Sequence, residues 1–290
     1  MNDDLIKKMF GINKLPKIEF DLPGVRENAE EVAGQLSISG VQPKLIIKLD
    51  REKNELISVP KGGEYILKPQ TSTYANIPEN EECCMNLAGV FNIEIPPHCL
   101  LPLKDNSLAY IVKRFDRENG EKIPSETFYQ ILESSDKYEG SVEQIGKRLR
   151  KISTAPGLDC QLLFERVIFS FIIGNGDAHL KNYAVLTKGE DVRLSPAYDL
   201  VCSRIVVTKE KWESALGIGS NKGKKNDLTR RDFDDLGEYL DVPLRVRYEK
   251  FETKFNSMKE IIESSQLGGN KQEKFIAIIK ERLNRLEIPE

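Results

Sequence analysis

Residues 158–175, LDCQLLFERVIFSFIIGN, carry apolar side chains on nearly every face of a helix, and this segment constrains the fold most. A helix apolar all round has no face to give to water, so it must lie at the centre of a helical layer. Its neighbours are helical in pattern too: TFYQILESS and VEQIGKRLRKIS before it, and three amphipathic stretches between 229 and 287 after it. The chain before Arg117 reads differently. PKLIIKL (43–49), ELISV (55–59), EYILK (64–68), HCLLPL (98–103) and LAYIVK (108–113) are short β-type runs parted by the polar turns DREKN, PKGG and KDNS. One helical pattern, 76–93, stands among them. In the helical part the only strand-like interruption is YAVLT (183–187) with DVRLS (191–195) around KGE. The expectation is an α+β fold of two lobes, β-rich over 1–115 and helical over 116–290, which suits 290 residues without a Pro/Gly/Ser-rich linker.

Composition narrows the function. Lys and Arg number 43 against 46 Asp and Glu, a formal net charge of −3, so nothing global attracts nucleic acid or an anionic membrane. Five cysteines, Cys83, Cys84, Cys99, Cys160 and Cys202, are odd in number and contain no CxxC pair, which argues against a disulfide framework or a zinc ribbon and for a reducing cytoplasm. The start MNDDLIKKMF has no apolar signal-peptide core, and no unbroken apolar run long enough to span a bilayer occurs, so neither secretion nor a membrane role is expected. With His98 and His179 the only histidines, carboxylates must carry any chemistry.

The informative stretch is GNGDAHLKNYAVL (174–186) followed by SPAYDLV (195–201). Asp177 and Asn182 stand in the spacing Asp-x-x-x-x-Asn, and Asp199 comes beyond the expected hairpin. Protein kinases use this order for phosphoryl transfer: a loop Asp takes the acceptor proton while the Asn and a later Asp hold magnesium, which prefers hard oxygen ligands. A loop between the first pair lets carboxylate and amide face different parts of one substrate, and the hairpin returns the second carboxylate. Alone, Asp-x-x-x-x-Asn more often marks a helix cap or a turn.

Its company changes the weight. EYILK places Lys68 near the end of a strand, where a kinase lysine meets the α/β-phosphates, and Glu81 or Glu82 on the next helix could pair with it. Lys68 alone reads more readily as a solvated strand-end lysine. QLSISGVQPK (35–44) precedes the first strand; it is not GxGxxG and could be an ordinary turn, yet its backbone amides could also cover phosphates.

Taken in chain order, SISGVQPK, YILKP, NEEC, VKRFDR, GNGDAHLKN and PAYDL resemble the HipA-like kinases over roughly residues 35 to 285. The resemblance implies a protein-kinase-like, HipA-like fold and ATP with Mg2+ as the reactants' partners. It implies Asp177 as catalytic base, Asn182 and Asp199 as metal ligands, and Lys68 on the phosphates. Ser39, Gly40, Val41, Gln42, Pro43 and Lys44 would form the phosphate loop, and Val112, Lys113, Arg114 and Phe115 the adenine-binding hinge. His179, Leu180, Lys181 and Tyr198 would line the nucleotide site; His179 reads equally as a hydrogen-bonded buried histidine. Family members autophosphorylate a loop serine, which matches Ser37, with Ser39 a second candidate; a phosphate there adds roughly −1.5 to −2 charge beside ATP and would expel the loop.

The short stretch before the phosphate loop and the double serine look like the HipT subgroup, in which the missing N-terminal part exists as the separate protein HipS beside the DNA-binding antitoxin HipB. By that analogy the chain is a Ser/Thr kinase toxin of a type II toxin–antitoxin system, linked to persistence, that phosphorylates an aminoacyl-tRNA synthetase, inhibits translation, and meets DNA only through its antitoxins. Two other readings remain. The same base and metal ligands would serve a small-molecule or lipid kinase. NKGKKNDLTRR (221–231) could instead make the chain a non-catalytic DNA-binding corepressor, although such a basic stretch is usually a solvated loop.

Overall fold

The structure, a computed structural model, describes residues 3–25, 27, 43–118, 120–207, 210–219 and 223–290. Of the expected site residues, Ser37, Ser39, Gly40, Val41 and Gln42 lie outside the described residues, as do Asn221 and Lys222 of the basic stretch. The chain divides into two compact units, 1–82 with 96–122 and 83–95 with 123–290.

The first unit is built on a six-stranded sheet. Its strands are β1 (Lys17–Ile18), β2 (Leu45–Asp50), β3 (Glu55–Ser58), β4 (Tyr65–Pro69), β5 (His98–Pro102) and β6 (Leu108–Lys113), in the spatial order β1-β3-β2-β4-β6-β5. Every pairing is antiparallel except β1 with β3, and short turns join two of the antiparallel pairs, β2 with β3 and β5 with β6, as hairpins. Alternation decides the faces. In β4, Tyr65 and Leu67 are buried with Leu45, Ile47, Leu56, Ala109 and Ile111, while Ile66 and Lys68 point the other way. The helix α1 (Asp3–Phe10) closes this core with Ile6, Met9 and Phe10, and the Tyr65 hydroxyl donates to the Met9 carbonyl at 2.9 Å. A two-stranded ribbon, β7 (Arg117–Glu118) with β8 (Glu121–Lys122), ends the unit. The helix α2 (Ile77–Val90) begins here; Asn92, with φ 50°, turns the chain just beyond it.

The second unit is helical. The largely apolar segment becomes α5 (Pro156–Ile172), in which Leu163, Phe164, Ile168, Phe169 and Ile172 are fully buried. Around it lie α3 (Phe128–Ile131), α4 (Val142–Ile152), α6 (Arg230–Tyr239), α7 (Phe255–Ser264) and α8 (Gly269–Arg285). Each buried aliphatic or aromatic side chain contributes about 1.5–3 kcal/mol by leaving water, so this helix is a firm anchor for the loop at its C-terminal end. A three-stranded sheet, β9 (Ser125–Thr127), β10 (Ala184–Lys188) and β11 (Asp191–Leu194), completes the unit, with β10 central. Strand β9 and the β7–β8 ribbon add to the single hairpin expected after Arg117, and the helix expected over TFYQILESS shortens to one turn. Among the described residues no helix is long and apolar enough to cross a membrane.

Candidate active site

The loop after α5 takes its shape from four local devices. Gly174, at φ 69°, adopts the left-handed conformation that ends a helix, which costs glycine nothing. The Asn175 side chain accepts the Asp177 N–H at 3.2 Å, and Ser203 Oγ accepts the Gly176 N–H at 2.8 Å. Gly176 must lack a side chain, since a Cβ there would stand 2.5 Å from the Trp212 carbonyl oxygen. A 3-10 turn, Leu180–Asn182, then delivers the chain into β10, with the Asn182 N–H donating to the His179 carbonyl at 2.8 Å.

Two of the expected residues meet here. The β10–β11 hairpin returns the chain so that Asn182 Nδ2 donates to Asp199 Oδ2 at 3.3 Å, while Asn182 Oδ1 accepts the His179 N–H at 2.9 Å. Asp199 sits at φ 54°, a left-handed backbone that Asp tolerates better than most residues. The pair edges a crevice lined also by Arg166, Asn175, Tyr198 and Leu200. Asp177, half-buried in the same loop, accepts the Tyr138 hydroxyl at 2.8 Å.

Other expected residues are placed less directly. His179 is buried; its Nδ1 has no hydrogen-bond partner among the described residues, so the hydrogen-bonded reading does not hold for that nitrogen. Burial lowers its pKa, with Asp177 opposing, and keeps the ring neutral at neutral pH. Leu180 is buried. Lys181 is exposed with its ammonium 4.5 Å from the Tyr129 ring centroid, and its carbonyl accepts the Tyr198 hydroxyl at 2.7 Å. Burial, then Asp199, raises the Tyr198 pKa and keeps that hydroxyl a donor.

In the first unit Lys68 Nζ lies 2.6 Å from Glu81 Oε1 and 5.7 Å from the Tyr110 ring, so Glu81 takes the helix role expected of Glu81 or Glu82. Val112 is buried and paired with Ile66 and His98; Lys113, Arg114 and Phe115 are half-buried. Arg114 is locked by a bidentate bond to Asp116 at 2.9 and 2.8 Å, and its N–H donates to the Glu64 carbonyl. Pro43 is half-buried and Lys44 exposed at the entry to β2.

Sequence reasoning missed three features beside this site. Tyr138 and Trp212 lie in polar loops with no periodicity to mark them. Arg166 is 4% exposed, with Nε and Nη1 lacking hydrogen-bond partners among the described residues, and burial brings its pKa down to about 10. Its place in the central helix is legible in the sequence; its burial beside the Asn182–Asp199 pair is not. Among the described residues no three His, Cys, Asp or Glu side chains cluster to hold a metal by themselves.

The fold is similar to that of solved structures. A chain of the toxin–antitoxin HipA, HipB and operator DNA complex of Shewanella oneidensis MR-1 superposes with TM-score 0.71 at 20% identity over 87% of this chain and 66% of that one. The proinflammatory kinase CtkA of Helicobacter pylori superposes with TM-score 0.58 at 15% identity over 83% of this chain and 93% of that one. These establish the kinase-like fold, mixed helix and strand with a curled sheet. A Haemophilus influenzae protein named "Putative kinase" is 26% identical over 79% of this chain and 74% of its own length. "Putative kinase Y4dM" of Sinorhizobium fredii is 32% identical over 65% of this chain, which spans half of that protein's length. The family model described as HipA-like C-terminal domain matches residues 36–284, and the chain therefore belongs to that family.

Proposed function

We propose that the protein is an ATP-dependent Ser/Thr protein kinase, the toxin of a HipA-type toxin–antitoxin system. The observation that carries this reading is the return of Asp199 to within 3.3 Å of Asn182 in the loop that also bears Asp177. An acceptor hydroxyl would give its proton to Asp177 as its oxygen bonds to the γ-phosphorus. The bond from that phosphorus to the β,γ-bridging oxygen breaks, and this oxygen leaves on ADP with the electron pair. Catalysis is then mostly positioning and charge neutralisation.

The donor set fits magnesium: an amide and a carboxylate, both capable of hard oxygen ligation, stand one hydrogen bond apart. Asn182 would turn its amide to offer the oxygen now held by the His179 N–H. Magnesium would neutralise the phosphate charge there. Lys68, held by Glu81, would bind the α/β-phosphates, segment 39–44 would cover them, and 112–115 would take the adenine. The lobes of this reading are 1–115 and 116–290.

The proposed acceptors are a serine of an aminoacyl-tRNA synthetase and the chain's own Ser37 or Ser39, with antitoxins of HipB and HipS type as partners, as in the HipT subgroup. The test is intact-mass spectrometry after incubation with ATP and Mg2+, with peptide mapping of Ser37 and Ser39 and an Asp177→Asn control. A phosphate on that loop in wild type and none in the control is the expected result. No incorporation by a chain that starts unphosphorylated would move the reading to a small-molecule kinase.

A further inference from the structure

Tyr138 precedes Asp177 by 39 residues and belongs to the loop between α3 and α4, yet its hydroxyl meets the loop carboxylate at 2.8 Å. Its ring stands edge-on to His179, with centroids 5.3 Å apart, and tilted against Trp212 at 5.5 Å, while the Lys137 ammonium lies 4.7 Å from its centroid. Its N–H donates to Asp136 Oδ1 at 2.9 Å, and its carbonyl accepts Lys225 Nζ at 2.8 Å.

The same loop is stitched to two others. The Lys137 carbonyl accepts the Leu180 N–H from the Asp177 loop, and the Gly140 carbonyl accepts the Gly217 N–H. Tyr138 therefore sits where the segment carrying Trp212 and Lys225 meets the segment carrying Asp177. Burial, then the bond to Asp177, raises the Tyr138 pKa, so it stays a donor at neutral pH.

One carboxylate oxygen is thus occupied, and among the described residues the other, Oδ2, accepts no hydrogen bond. A base that must meet an acceptor hydroxyl in one orientation gains when its side-chain torsion is fixed beforehand. We propose that Tyr138 is a positioning residue for phosphoryl transfer: it holds Asp177 Oδ1 so that Oδ2 faces the acceptor, and it ties that alignment to Trp212 and Lys225. This rests on the reading of Asp177 as the base. The acceptor's proton goes to Oδ2, and the Tyr138 proton stays on its own oxygen throughout.

Tyr138→Phe keeps the ring and removes only the O–H. The measurements are the rate of γ-phosphate loss from ATP–Mg2+, counting phosphate on the chain and in solution, the ATP–Mg2+ affinity by calorimetry, and the emission of Trp212, the only tryptophan in the chain. The expected result is a rate lower by about 10- to 100-fold with affinity and emission unchanged. A rate within about twofold of wild type overturns the proposal, and so does a rate loss accompanied by weaker ATP binding or shifted emission, which would mean general disruption of the site.

Asp177→Asn and the double variant complete the test. If Tyr138 acts through Asp177, adding Tyr138→Phe to Asp177→Asn lowers the residual rate no further; the same fold-loss in both backgrounds overturns the proposal. An Asp177→Asn enzyme as fast as wild type would instead overturn the base assignment and this inference with it. An inactive Asp177→Asn beside a fully active Tyr138→Phe would overturn this inference alone.

Discussion

Lys68 and Glu81 form an ion pair 2.6 Å long in which the carboxylate side chain is 2% exposed and the ammonium side chain 12%. The two charges are therefore coupled far more strongly than a surface pair. A double-mutant cycle with Lys68→Met and Glu81→Gln should give a coupling of about 1 to 3 kcal/mol in guanidinium unfolding. Each single variant should also weaken ATP binding. Strict additivity of the two stability losses would show that the contact does not couple them.

Asp199 occupies the left-handed backbone region with φ 54°. Asn tolerates that conformation and Ala does not, so Asp199→Asn should be more stable than Asp199→Ala by about 1 kcal/mol. Neither should transfer phosphate. Thermal melts compare the stabilities and the mass-spectrometric assay the activities; an active Asp199→Asn would remove this carboxylate from the proposed metal pair.

Glu213 is the anchor of the segment that carries Trp212. Burial alone would raise its pKa, but the hydrogen bonds from Arg285 and the Leu228 N–H, with Arg282 nearby, outweigh burial and bring it down to about 2. A carboxylate depressed on folding stabilises the native state above its unfolded pKa, about 4.3, and loses that contribution as pH falls towards 2. The contribution is on the order of 3 kcal/mol. Glu213→Gln should be less stable by that order at about pH 6 and show a flatter decline between about pH 4.5 and 2, followed by circular dichroism.

All five cysteines are buried and none is in a disulfide, and burial pushes the thiols of Cys99 and Cys202 up to about 12. Ellman's reagent should find none of the five in the native protein and all of them in guanidinium. Rapid reaction of a thiol in the folded state would contradict this packing.

Much of the fold was readable because it is periodic. The strand runs matched β2 to β6 to within two residues, and the largely apolar segment became the central helix, since burial on every side leaves one solution. Short elements escaped. The helix Asp3–Phe10 displays Ile6, Met9 and Phe10 at helical spacing but is only eight residues long, and β9 has three residues, too few for any period. The order Lys68, Asp177, Asn182, Asp199 was legible as a motif; which glutamate meets Lys68 depended on helix phase, which set Glu81 on the buried side. Tyr138 escaped entirely. Its contact with Asp177 joins two loops, and no local pattern in a sequence announces a loop-to-loop contact.

Asp177 stands five residues beyond the end of α5, and it hangs from a helix whose last ten residues are all buried, where truncation leaves a cavity and enlargement a clash. Trp212 stands beside Glu213, whose carboxylate is held by Arg282, Arg285 and the Leu228 N–H, and Ala215, Leu216 and Ile218 just beyond it are buried. Under the proposed role of Tyr138, a change in that segment would reach the carboxylate through the Tyr138 ring, so the loop would be constrained from both of its sides.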